Sequence, residues 1–153
     1  MPRQPTAVGT RLQEVVSCLR PAIVLLGDLS DAFGTPFVPI ISSTVDALIG
    51  AVETAKANKE QCTGLLEQVH QLIVAIVQLH VRSESTGGTL APGILRDIGK
   101  FTETLQKIYT FVEGQQGGNI FKRIVHHRDL SGLLKDCQAE LRYAFDAFKV
   151  IHP

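Results

Sequence analysis

The stretch richest in chemistry is FKRIVHHR, which sets Lys122, Arg123, His126, His127 and Arg128 among Phe121, Ile124 and Val125. Cations interleaved with apolar side chains suit an anionic membrane surface, with charges at the head groups and apolar groups below. The plainer reading is a short helix whose Phe121, Ile124 and Val125 close one end of a larger fold while its charges are solvated. His126 and His127 are neighbours and point in different directions from a helix, so no metal is expected without convergent ligands. His70 and His80 fall on one segment and read as core-edge histidines. Cys18, Cys62 and Cys137 are an odd number of thiols, two of them on apolar stripes. They read as small buried groups in a reducing compartment, not as a disulfide framework.

Catalysis has little beneath it. The chain contains no G-x-S-x-G, no HExxH, no Cys-x-x-Cys and no phosphate-binding glycine loop followed by lysine. The pairs Gly87-Gly88 and Gly117-Gly118 follow no strand pattern and read as hinges. Neither an enzymatic activity nor a cofactor is expected.

Bulk properties narrow the class further. A chain of 153 residues, 44% apolar and 20% charged, is one ordinary globular domain. Fifteen basic and fifteen acidic residues balance, so nothing favours a nucleic-acid partner. The opening MPRQPTAVGTRLQEVV lacks the apolar core of a signal peptide. With no run of eighteen apolar residues, a constitutive membrane span is not expected, and a soluble cytoplasmic protein is. Between Pro21 and Val52 the only charges are Asp28, Asp31 and Asp46. Such a low-charge region either detaches to enter a bilayer or packs as a further helix and a buried connector.

The elements that position these residues all share one rhythm. Cys62, Leu65, Val69, Leu72, Ile76 and Leu79 recur at 3-4-3-4-3 spacing between Asn58 and Arg82. This is the seam of a helix roughly 36 Å long. Leu66 and Ile73 widen the seam, as a bundle requires and a two-stranded coiled coil does not. Val38, Ile41, Val45, Leu48, Val52 and Ala55 predict a preceding helix from about Pro39 to Ala57, with a tight corner at Asn58 favoured over one long bent rod. Ile94, Ile98, Phe101, Leu105, Ile108 and Val112 predict another from Leu90 to Glu113. Asn119 can cap a short helix through Val125, and Asp129 a last long one bearing Leu134, Cys137, Leu141 and Phe148. Upstream, a helix from about Thr6 to Gly27 is expected to kink at Pro21, followed by a connector to Pro39. The sum is an all-α fold. It is an up-and-down four-helix bundle over residues 37–153, with an additional N-terminal helix and connector in residues 1–36, compact as a single domain.

Three runs carry a family resemblance. They are KANKEQCTGLLEQVHQLIVAIV (Lys56–Val77), FTETLQKIYTFVE, and HRDLSGLLKDCQAELRYAFDAF. Within them the marks are Asn58-Lys59 before Cys62, and Asp129-Leu130 leading to Leu134, Cys137 and Glu140-Leu141. Together they resemble the N-terminal four-helix bundle of mixed lineage kinase domain-like proteins, a HeLo-type module, in its fungal form. That resemblance covers roughly Phe37 to Val150. It implies a cell-death or immune-signalling bundle tethered to a kinase-like or STAND regulatory domain. On activation such a bundle would self-associate, bind anionic phospholipid and permeabilise the plasma membrane. Lys122, Arg123, His126, His127 and Arg128 would meet the lipid. The competing expectation is an adaptor bundle that docks a partner helix or oligomerises without touching a membrane.

Overall fold

The computed structural model describes residues 7–33, 37–83, 90–116 and 120–149, with side chains over residues 9–29, 37–83, 90–116 and 131–148. Five helices account for nearly all of it: α1 (Ala7–Phe33), α2 (Val38–Thr54), α3 (Lys59–Ser83), α4 (Pro92–Glu113) and α5 (Ile120–Lys149). No strand occurs among the described residues. The all-helical bundle is what the 3-4 spacing of apolar residues dictates.

Each helix begins or ends for a local reason. Pro39 lies in the first turn of α2 and Pro92 opens α4, where a missing N–H costs nothing. The corner between α2 and α3 falls at Asn58, whose φ of 53° is the only positive value at a non-glycine residue among those described. Asparagine enters this left-handed region more readily than most side chains. The Asn58 carbonyl then accepts the Cys62 N–H at 3.0 Å, starting α3.

Two elements differ from expectation. α1 contains Pro21, as expected, but runs past the expected end at Gly27 and stops only at Phe33. The apolar stripe Leu12, Val15, Leu19, Ile23 and Leu26 is buried, and Leu29 continues it against the core. A single interior glycine costs only about 1 kcal/mol, which such packing outweighs. The short helix expected over Ile120–Val125 is continuous with the last one, forming a single 30-residue α5. No glycine or proline separates Val125 from Asp129, so nothing there interrupts the backbone hydrogen bonds.

The helices stack three over two. α3 packs between α1 and α5 in one layer; α2 and α4 form the other, with α1 over α2 and α5 over α4. Chain direction reverses at each connection. Neighbours within a layer are therefore alternate helices running the same way. The parallel α2–α4 pair keeps one register, with contacts between Phe37 and Gly99, Thr44 and Gln106, and Thr54 and Gln116. α4 and α5 are antiparallel, with Lys107 on Glu140.

One core runs through both layers. Val45, Leu48, Val52, Cys62, Leu65, Val69, Leu72, Ile76, Ile98, Phe101, Leu105, Ile108, Cys137, Leu141 and Phe148 are buried in it. Leu134 packs against this core while partly exposed, because it lies on its flank. α1 contributes five buried side chains to the same cluster, so the N-terminal helix is part of the core and not an appendage to it. On α3, Gln61, Gln68, Gln71 and Gln78 stay exposed while Val69 and Ile76 are enclosed. The hydrophobic gain per fully buried Leu or Ile, about 1.5–3 kcal/mol, sets which face turns inward.

Candidate functional site

Among the described residues the most developed polar constellation is a clasp at the end of the bundle where α2 and α4 finish. The α4 helix stops at Glu113, and the turn that follows presents Gln115, which is only 5% exposed. Its backbone carbonyl accepts the N–H groups of Lys56 and Ala57 at 2.9 and 3.2 Å. Its side-chain carbonyl accepts the Asn58 amide at 2.8 Å, and its own amide donates to the Phe111 carbonyl at 3.3 Å. Beside it, Gln116 donates to the Ala51 carbonyl at 2.6 Å and accepts the Thr54 hydroxyl at 2.7 Å. The turn thereby takes up the Lys56 and Ala57 N–H groups of the α2–α3 connector and the Ala51 carbonyl near the end of α2. No described buried side-chain nitrogen or oxygen lacks a partner.

Charged groups are distributed differently. Arg11 makes a two-pronged ion pair with Glu67, its Nη2 donating to Oε2 at 2.8 Å, and this joins α1 to α3. The contact raises the guanidinium pKa through the hydrogen bond to Glu67, and the same bond lowers that of the carboxyl. Arg20 approaches Asp46 and Glu53 at 4.0 and 3.9 Å, joining α1 to α2 across exposed surface. Lys107 donates to both carboxylate oxygens of Glu140 at 3.1 Å, joining α4 to α5. The hydrogen bond to that carboxylate raises the lysine pKa. Lys100 lies 5.3 Å from the centre of the Tyr143 ring, again within the α4–α5 pair. These charged contacts all fall within α1–α2–α3 or within α4–α5. Neutral amides and hydroxyls make hydrogen bonds that cross between the two groups over an apolar interior.

No group of three or more metal-ligating side chains occurs among the described residues. Cys62 and Cys137 are buried and their thiols are pushed up to about 11 by desolvation, which keeps them protonated and poorly nucleophilic. Cys18 is exposed. His80 is fully buried on α3, with Nδ1 2.9 Å from the Ile76 carbonyl, while His70 is half-buried. An open cleft over α3, lined by Arg11, Gln61, Gly64, Gln68, Gln71 and Gln138, is polar and shallow.

The side chains of Lys122, Arg123, His126, His127 and Arg128 lie outside the described residues; their backbone forms the opening turns of α5. α5 begins at Ile120, a few residues after the Gln115 turn in sequence, which puts the basic run towards the clasped end of the bundle. The role of Gln115 and Gln116 had no local signal, because their partners lie 57 to 65 residues away.

One further property belongs to α3. Among the described residues it alone is long and apolar enough to cross a bilayer, and more than half of its most apolar window is buried inside the bundle. Uncharged glutamines and histidines between Glu67 and Arg82 allow this without an unbroken apolar run. No family model, curated protein or solved structure matches the chain.

Proposed function

We propose that this chain is a non-enzymatic signalling bundle that changes from a closed helical state to a self-associated, membrane-active one, in the manner of cell-death modules. The observation that carries the reading is α3, a helix of bilayer-spanning length and apolarity kept inside the bundle beneath α1. The basic run from Lys122 to Arg128 supplies affinity for anionic head groups, each well-placed cation adding about 1 kcal/mol near the surface. Release of α1 from α3 exposes the apolar stripe. Rearrangement of this kind needs only a few kcal/mol, within what a partner or regulatory domain supplies on binding.

The test is dye release from phosphatidylserine or phosphoinositide vesicles, with the chain alone and with it clustered through a fused oligomerisation tag. Leakage that disappears when Lys122, Arg123 and Arg128 are reversed to glutamate supports the reading. No leakage in either form removes it. A bundle that then still self-associates or captures a helical partner belongs to the adaptor class.

A further inference from the structure

Between α4 and α5, towards the end of the bundle opposite the clasp, lies a cleft of about 430 Å³. Phe101 and Ala144 form a buried apolar floor, and Tyr143, 57% exposed, forms one wall. Around them stand Asp97 and Glu103 against the ammonium of Lys100, with Glu140 already held by Lys107. That ammonium sits over the Tyr143 ring. The cleft therefore combines apolar floor, aromatic wall and net negative charge. Its chemical complement is a short segment with cations and apolar side chains in alternation and no carboxylate.

The chain contains one such segment. Phe121 to Arg128 carries Lys122, Arg123 and Arg128 with Phe121, Ile124 and Val125, and no acidic residue. It cannot reach the cleft of its own molecule. Both belong to the continuous α5, and about 27 Å of helix separates Lys122 from Glu140. We propose that the cleft between α4 and α5 receives the Phe121–Arg128 segment of a second copy of this chain. The two surfaces lie towards opposite ends of one hairpin, so the contact is head-to-tail. Each copy keeps one surface free to take the next. A chain with a formal net charge of zero is thereby polarised along the α4–α5 hairpin, and the attraction is short-ranged and screened by salt. This goes beyond the membrane reading and is measured without lipid, so either can fail alone.

Sedimentation velocity of the full chain at about 50 mM and about 500 mM salt is the measurement. Concentration-dependent association at low salt that weakens about tenfold or more at high salt is expected. Asp97→Lys with Glu103→Lys should abolish association, and so should Lys122→Glu with Arg123→Glu, each retaining its helical circular dichroism. Mixing the two reversed variants should restore it, a rescue that misfolding cannot produce. A chain that stays monomeric at low salt overturns the proposal, as does association that survives reversal of the cleft. Association that survives reversal of the segment likewise overturns it.

Discussion

The Asn58 side-chain amide donates to the Gln115 side-chain carbonyl at 2.8 Å, tying the corner between α2 and α3 to the turn after α4. Two properties meet in Asn58: a left-handed backbone and a cross-bundle hydrogen bond. They respond differently to substitution. Asn58→Gly loses the bond but accepts the conformation, whereas Asn58→Ala loses both. Urea denaturation should show Asn58→Ala less stable than Asn58→Gly by about 1 kcal/mol. Equal stabilities would mean that the corner relaxes.

Gln115 is the larger loss on the same clasp. Gln115→Ala removes the acceptor of the Asn58 amide and a donor to the Phe111 carbonyl, in a site almost closed to water. A destabilisation of about 1–3 kcal/mol is expected. The Lys56 and Ala57 amides bond to the Gln115 backbone, so hydrogen exchange there should speed up only as far as global stability falls. Selective acceleration at those two amides would show that the side chain positions the turn.

Acid should weaken the α1–α3 contact before it weakens the core. The Arg11 hydrogen bond holds the Glu67 carboxyl below its ordinary pKa, while Arg11 stays charged throughout. A carboxyl depressed in the folded state stabilises above its unfolded pKa of about 4.3, and that contribution disappears as pH falls through the lower folded value. Stability followed from pH 7 downward should therefore lose a component below about pH 4 that Glu67→Gln lacks at every pH. Parallel curves for the two proteins would contradict this.

Thiol reactivity should divide the cysteines by burial. At pH 8 a small alkylating reagent should modify Cys18 alone in the native protein and all three after denaturation, as counted by mass spectrometry. The desolvated thiols of Cys62 and Cys137, with pKa about 11, are both inaccessible and protonated. Rapid native labelling at Cys62 would indicate that α3 opens locally.

Helix glycines should separate by what lies above them. A methyl group at Gly50 meets nothing within 4 Å, so Gly50→Ala should stabilise α2 by about 0.5–1 kcal/mol. At Gly99 the new carbon would lie 3.1 Å from the Phe37 ring, and the register of α2 on α4 resists the shift. Gly99→Ala should gain less than Gly50→Ala, and thermal melts of the two variants compare them directly.

The 3-4 spacing through Leu65, Leu72, Ile98, Phe101 and Leu141 determined by itself that the chain is a helical bundle and which side chains form its core. Burial of a stripe needs no knowledge of the partner that covers it. The same holds for the corner at Asn58, where residue type and position agree. Tertiary structure decided the rest. It set α1 beside α3 as an integral layer, since the stripe through Leu26 and Leu29 has value only against a specific neighbour. It brought Gln115 and Gln116 onto the α2–α3 corner, a match between groups far apart in the chain that no local pattern encodes. Through the continuity of α5 it also separated the basic run from the acidic cleft. Local spacing records which atoms avoid water. Which polar groups meet depends on how the rods are stacked.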